Sequence, residues 1–324
     1  MTMRGFWLAG TALALAISIA AGVPAQAADK LRVGKAQAQP FTFAPLDIGI
    51  EEGIFAKHNL EIEATVFPGS ANLQRGITAD AIDIAVGSGP ELAFVAKGNP
   101  ELGVAAMANQ PALLTLITQK DSPIKTIADL KGKLISVSTG GSLTAWLVKE
   151  LSRQQGWGPD GIKLVELGSD SPQVAALRTN QTNGMTIDIA TAYKLQEENI
   201  ARQVVNFGDI VTDFHIHVIY ASGKIMKEHP EQVREFLAGW FDTIAFMHKN
   251  KAAAVRIGAK VGRVSEEIEG KVYDELMPTF SNDGKFNPKA LAVLARSFVE
   301  LGTLPTEPDM SKLYTEKFLP GAPH

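Results

Sequence analysis

Residues 134–155 read LISVSTGGSLTAWLVKELSRQQ, and the order of residue types along them sets the fold class. Leu134–Val137 is short and mostly apolar, which predicts a buried strand. Ser138-Thr139-Gly140-Gly141-Ser142-Leu143-Thr144 comes next, rich in hydroxyls and glycine, as a tight turn into a helix requires. Thr144–Gln155 predicts that helix. A strand passing through a Gly-Ser turn into a helix is half of a βαβ unit.

The succession repeats on both sides. Upstream, strands at Leu31–Gly34, Ile62–Phe67, Ile82–Val86, Leu102–Met107 and Ala112–Thr118 are interspersed with helices at Pro45–His58, Leu73–Ile77 and Glu91–Lys97. Downstream, Lys163–Leu167 reads as a strand and Gln173–Arg178 as a helix, and the alternation continues to about Asn206. This predicts an α/β fold of mostly parallel sheets flanked by helices. After a strand at Val218–Ala221 the pattern turns to helix alone. Val233, Phe236, Leu237, Trp240, Phe241 and Ile244 make one apolar stripe at helical spacing, behind Pro230, which suits a first helical turn. Lys251–Lys260, Ser265–Leu276 and Pro288–Glu300 predict further helices, read as an outer layer over a sheet.

Gly69-Ser70, Gly87-Ser88, Gly141-Ser142 and Gly168-Ser169 each fall where a strand hands over to a helix. Taken singly, each reads as an N-cap, and Ser88-Gly89-Pro90-Glu91 matches a capping box. Taken together, two before residue 110 and two after, they predict a cleft fed from two sheets, because ligands of open α/β sheets sit beyond the carboxyl ends of the strands. Free N–H groups at such helix starts attract negative charge. Ser138–Thr144 is the richest of these turns and predicts an oxyanion cradle. It lacks the lysine and spacing of a P-loop, which disfavours a nucleotide.

With 324 residues, 45% hydrophobic and 20% charged, the chain is neither disordered nor fibrous, and its length predicts about two domains. Lys and Arg number 31 against 35 Asp and Glu, with no basic block, so no nucleic-acid partner is expected. The absence of cysteine excludes disulfides, thiolate catalysis, Fe–S clusters and Cys-ligated zinc. Residues 1–27 carry Arg4, an apolar run over Leu8–Val23 and the A-x-A pattern Ala25-Gln26-Ala27. They predict an export signal cleaved after Ala27, with residues 28–324 delivered to the periplasm.

Gln37–Leu60, QAQPFTFAPLDIGIEEGIFAKHNL, resembles the opening of the nitrate/sulfonate/taurine-type substrate-binding proteins of ABC importers, whose fold family includes thiamine-pyrimidine synthase. The resemblance continues through Gly69-Ser70, Asp83–Val86, Ile127–Lys133, Ser138–Thr144, Ala176–Asp188 and Asp213–Val218. It implies a two-lobe periplasmic binding protein, type II-like, with two hinge crossings near Asn109–Ala112 and Phe214–Val218. Lobe one would hold residues 28–110 plus 217–324, and lobe two residues 111–216. It further implies a monomer that captures a small organic anion between the lobes, a sulfonate, nitrate, taurine or an aromatic carboxylate. That solute would pass to an ABC permease in the inner membrane, with no covalent chemistry and no cofactor. Carried over residue by residue, the ligand pocket would draw on Gln37, Phe41 and Phe43, on Gly69, Ser70 and Ala71, on Gly87 and Ser88, and on Asn109 and Gln110. The second lobe would add Ser138, Thr139, Gly140, Gly141, Ser142, Leu143 and Thr144, then Ser169 and Asp170, then Met185 and Thr186. His215 would stand at the return hinge. Phe41 and Phe43 read equally well as core. Thr182-Asn183-Gly184 departs from the family pattern, which has an acid there; Asp188 lies further on. The pocket segments offer no arginine, and Lys35 is the nearest cation.

Three enzyme or metal readings compete. Asp213, His215 and His217 would share one face of a strand and are zinc-type ligands, although Val218-Ile219-Tyr220 follow directly and suit packed strand histidines. Gly140-Gly141-Ser142-Leu143-Thr144 is one residue from the G-x-S-x-G elbow of a secreted serine hydrolase, with Ser142 as nucleophile and Thr144 where the last glycine belongs. A pyrimidine synthase would rely on a Cys-rich segment that this chain lacks.

Overall fold

Leu31 and Val33 are fully buried on the first strand, β1 (Asp29–Lys35), and the chain builds outward from it. The computed structural model describes residues 28–140 and 142–322; the export-signal reading and Gly141 fall outside the described residues. After β1 come α1 (Ala44–Glu51), α2 (Ile54–Lys57), β2 (Leu60–Val66), α3 (Ser70–Thr78), β3 (Ile84–Ser88), α4 (Leu92–Ala96) and β4 (Leu102–Ala108). The chain then lays down β5 (Leu114–Gln119), β6 (Leu134–Val137), α5 (Leu143–Gln154), β7 (Lys163–Glu166), α6 (Asp170–Arg178), β8 (Gly184–Asp188), α7 (Ile189–Glu197) and β9 (Ala201–Asn206). It closes with β10 (His217–Ala221) and five helices: α8 (Gly223–Glu228), α9 (Pro230–Lys249), α10 (Lys251–Gly262), α11 (Glu266–Leu276) and α12 (Pro288–Glu300).

The strands form two five-stranded sheets, ordered β2-β1-β3-β10-β4 and β7-β6-β8-β5-β9. In each sheet the fourth strand is antiparallel to both neighbours, and the other four share one direction. That reversed strand is the first one laid down after the chain crosses from the other sheet. The α/β class and the mostly parallel sheets flanked by helices are therefore as expected. The chain crosses over residues 109–113 and returns over 207–216. The two crossings lie side by side: Phe214 N–H donates to Asn109 O at 3.1 Å, Ile216 N–H to Ala108 O at 3.1 Å, and the Asn206 amide to Ala112 O at 3.1 Å.

Two local expectations change. Pro45–His58 is two helices rather than one, because Gly53 adopts φ 64°, ψ 25°, a left-handed conformation that costs glycine little and breaks the helix. The break turns Ile54 and Phe55 inward. Between Arg178 and Asn206, where the pattern gave no element boundaries, the chain forms β8, α7 and β9. The apolar stripe of α9 is core: Val233, Phe236, Leu237, Trp240 and Ile244 are buried, and Phe236 stacks on Phe55 with ring centroids 5.3 Å apart. Each such ring, fully buried, contributes roughly 1.5–3 kcal/mol. Among the described residues no helix is long and apolar enough to cross a membrane.

Candidate functional site

A cleft of about 790 Å³ opens where the carboxyl ends of strands from both sheets approach one another. The first sheet contributes the loop after β1, with Gln37 and Phe41. Helices α10 and α11 add Gly262, Glu269, Val272 and Leu276. The second sheet contributes Ser138 and Thr144 around the start of α5, Asp170 and Gln173 on α6, and Thr186 and Asp188 at the end of β8. Phe41 is held from behind by edge-on contacts with Tyr273 and Phe280, at centroid distances of 6.0 and 5.9 Å.

The cleft is lined with acid. Glu269 is 2% exposed, and its carboxyl makes no hydrogen bond among the described residues. Burial, reinforced by the charge of Asp188, pushes its pKa up to about 7. Asp188 caps α7 by accepting from Ala190 N–H at 2.8 Å; burial, with Asp170 beside it, raises its pKa to about 6. Asp170, on the first turn of α6, is raised by the same loss of solvent. Two further oxygens are buried without a partner: Thr186 Oγ1 and Gln173 Oε1, on residues 1% and 2% exposed. The cations of the lining, Arg178, Lys194 and Arg263, are exposed residues, and Arg178 is paired with Glu198 at 3.2 Å.

Of the residues carried over by resemblance, Gln37, Phe41, Ser138, Thr144, Asp170 and Thr186 line this cleft. The others have different employment. Met185 is fully buried in the core of the second sheet, facing away because side chains alternate along β8. Phe43 is core, packed on the His217 ring at 4.4 Å. The Gly69-Ser70 and Gly87-Ser88 turns do meet, with hydroxyls 3.5 Å apart, but they serve a buried carboxylate. Glu91 accepts from Ser88 N–H at 2.8 Å, from the Ser88 hydroxyl at 3.1 Å and from the Gln74 amide at 2.5 Å. Burial still raises its pKa. Ala71 is exposed outside the cleft lining, and Gly87 closes on Glu91, where an added Cβ would stand 2.5 Å from its carboxyl oxygen. Asn109 and Gln110 belong to the first crossing.

In the turn expected to be an oxyanion cradle, the Ser138, Ser142 and Thr144 hydroxyls bond within the turn. Ser142 Oγ donates to Thr139 O at 2.7 Å and accepts from Ala145 N–H at 3.3 Å, capping α5; Ser138 N–H donates to Thr144 Oγ1 at 3.2 Å. Thr139, Gly140 and Leu143 do not line the cleft, and Ser169 is the exposed residue before α6. Lys35 is likewise committed, buried with Nζ 2.5 Å from Asp47 Oδ2. The hydrolase reading fails because the partners of Ser142 Oγ are a carbonyl, Thr139 and Ala145 N–H groups and the Thr144 hydroxyl, none of them a base.

The zinc reading fails on the histidines. His215 Nε2 accepts the Asn287 N–H at 2.8 Å, so its proton sits on Nδ1, 3.1 Å from Asn109 Oδ1. The neutral ring has no lone pair left for a metal. Burial lowers the pKa of His215 to about 4 and of His217 to about 3. Among the described residues no group of three metal-ligating side chains converges. His215 is a pin between the first crossing and the start of α12.

Glu269, which the helix-only tail was not expected to supply, dominates the cleft. Its signal was present: Glu269, Val272, Tyr273 and Leu276 follow helical i, i+3, i+4, i+7 spacing, so a carboxyl stands on an apolar stripe. Its burial makes a pH signature. Below about pH 4.3 the carboxyl is neutral whether the chain is folded or not. Above its folded pKa of about 7 the native state holds a buried anion that the unfolded chain would solvate. Wild type is therefore expected to lose stability relative to Glu269→Gln as pH rises between those limits, by on the order of 3 kcal/mol. Urea denaturation of both chains at pH 5 and pH 8 checks this; His215 and His217 titrate equally in both and cancel. A difference that stays flat with pH would refute it.

Comparison with known proteins adds family and fold. A family model described as NMT1/THI5 like matches residues 41–254, well over half of the chain. A Haemophilus influenzae protein assigned by name to thiamine biosynthesis is 33% identical over 99 residues, which cover 30% of this chain and only 31% of that relative's length. The periplasmic aliphatic sulphonate binding protein SsuA of Escherichia coli superposes with a TM-score of 0.77 at 17% identity, covering 91% of this chain and 94% of its own. The alkanesulfonate-binding SsuA of Xanthomonas axonopodis pv. citri, bound to MOPS, gives 0.72 at 18% identity, covering 88% and 98%. The desulfurization enzyme DSZB, in complex with biphenyl-2-sulfinic acid, gives 0.68 at 17% identity, covering 90% and 97%. At these identities the structural likeness establishes the fold, which carries binding proteins and an enzyme alike.

Proposed function

This chain belongs to the NMT1/THI5-like family, and from that premise we propose that it is the solute-binding component of an ABC importer. One observation carries the reading: a cleft of about 790 Å³ is walled by residues from both sheets, and the backbone passes between those sheets at two adjacent crossings. Residues 28–110 plus 217–324 act as one lobe and 111–216 as the other, with 109–112 and 214–218 as the hinge. Solute contacts on both walls favour the closed state over the open one by their differential affinity. The closed monomer then docks on an inner-membrane permease, after export to the periplasm and cleavage behind Ala27. The proposal includes no covalent step: the Ser142 hydroxyl is bound to Thr139 O, Ala145 N–H and the Thr144 hydroxyl rather than to a catalytic base. Sulfonate is the chemistry that the names of the two SsuA proteins would bring; the acids of the cleft argue for another charge.

The test compares the chain as isolated with the chain stripped by unfolding and refolding. Native mass spectrometry is expected to find a small molecule on the former. Returning that molecule at about 100 times its Kd should stabilise the stripped chain by roughly 2.7 kcal/mol and reduce its radius of gyration in small-angle scattering. Stabilisation without compaction would remove the hinge from the reading.

A further inference from the structure

The cleft gathers several acceptors without a hydrogen-bond partner, and they share one chemistry. Glu269 is buried, carries no hydrogen bond and is walled in by α10: an added Cβ on Gly258 would stand 2.3 Å from its Oε1. Asp188 faces the same cleft, near enough that its charge acts on Glu269. Thr186 Oγ1 and Gln173 Oε1 are each buried, unpartnered and part of the lining. The amide nitrogen of Gln173 donates to Gly168 O at 3.2 Å, which leaves its oxygen to accept.

Two of the three helix starts at the cleft, those of α6 and α7, disfavour an anion. The N-termini of α7 and α6, which would attract one, already carry Asp188 as the cap and Asp170 in the first turn. The Ser138, Ser142 and Thr144 hydroxyls are bonded to one another and to backbone. Burying a second negative charge against a buried carboxyl is costly, whereas an N–H donor carrying positive charge satisfies carboxylate and carbonyl acceptors at once.

Resting on the receptor reading above, we infer that the solute of this cleft is a small organic cation. Its protonated nitrogen, an amine or amidine, sits on Glu269, Asp188, Thr186 Oγ1 and Gln173 Oε1, and its apolar body lies against Phe41 and Leu276. The charged and titratable groups around these acids are Asp170 and Arg178 on α6, Tyr193 and Lys194 on α7, Glu198 just after it, and Arg263 after α10. The cations among them lie on exposed residues, where water screens them, while Glu269 is shielded.

Three probes of one shape and different charge test the inference on the full chain after stripping: benzylamine, benzamidine and benzenesulfonate, titrated by calorimetry at pH 8 and pH 5. One of the two cations is expected to bind at pH 8, at least tenfold more weakly at pH 5, and at least tenfold more weakly to Glu269→Gln at pH 8. Thr186→Val, which keeps the shape and removes the acceptor, should cost three- to tenfold. Benzenesulfonate binding in preference, with Glu269→Gln unchanged or tighter, overturns the cation and leaves the receptor standing. An anion found on the chain as isolated has the same meaning. No binding by any probe, together with no small molecule on the chain as isolated, overturns the cation and the receptor reading together. Cation binding that ignores both substitutions places the nitrogen elsewhere and also overturns the assignment.

Discussion

Gly89→Ala is expected to lower the stability of the fold sharply. An added Cβ at this position would stand 1.8 Å from the His215 carbonyl oxygen and 3.0 Å from its carbon, both backbone atoms. Neither side has room to yield. Gly89 N–H donates to Ile216 O at 2.9 Å, and Ser88 pairs with His217 across β3 and β10. Tyr220 OH donates to Ser88 O at 2.7 Å, and the Ser88–Glu91 capping box closes the turn from the other side. A shift that accommodates the methyl group breaks part of a buried polar network at the return crossing. The cost should exceed about 3 kcal/mol, the upper end for overpacking a rigid site, against a total stability of roughly 5–15 kcal/mol. Gly270→Ala is the control. Nothing lies within 4 Å of its added Cβ, and it sits within α11. Alanine there should be neutral or stabilise by roughly 0.5–1 kcal/mol. Urea denaturation followed by tryptophan fluorescence measures both. Equal midpoints for Gly89→Ala and wild type would show that the crossing is not the tight contact described.

Trp146→Ala should cost about 3–5 kcal/mol, the range for deleting a large buried aromatic side chain. Trp146 lies on α5, behind the second sheet, and is 1% exposed. Its ring stacks on Phe214 of the return crossing at 5.2 Å and 22°, and its Nε1–H donates to Glu300 Oε2 on α12 at 2.7 Å. One side chain thus joins a helix of the second sheet, a crossing and the C-terminal helix. Trp146→Phe keeps most of the apolar contact and loses the hydrogen bond, so it should cost about 1–2 kcal/mol. If the two substitutions cost the same, the hydrogen bond rather than the stacking carries the junction. If alanine costs less than about 1 kcal/mol, the joint is not formed in solution.

Much of this architecture was legible because it is local. A strand needs a short apolar run, a following helix needs a capped start, and both requirements sit within a few neighbouring residues, as in 134–155. The apolar stripe of α9 is local in the same way. The resemblance added the division into two sheets, which composition alone could not supply. What local pattern left open was the second use of the caps. Ser88 and Ser142 read as caps that could also offer a hydroxyl to a ligand; in the fold Ser88 is bound to Glu91, and Ser142 to Thr139 and Ala145. A hydroxyl's partner is set by whichever group the fold brings within about 3 Å, and that group can lie many residues away.

The residue types and their periods determined by themselves the α/β class, the helix-only tail and the exclusion of cysteine chemistry. The first two follow from backbone preference and from the burial of one face of each element, the third from composition. Tertiary structure alone decided the charge of the cleft. Glu269 stands more than 80 residues from Asp188 along the chain, yet the charge of Asp188 reaches it, and burial raises the proton affinity of both. Desolvation is a property of what surrounds a group in three dimensions. The sequence therefore pointed to a cleft and its walls, while the sign of the charge inside it emerged only when the C-terminal helices closed over the second sheet.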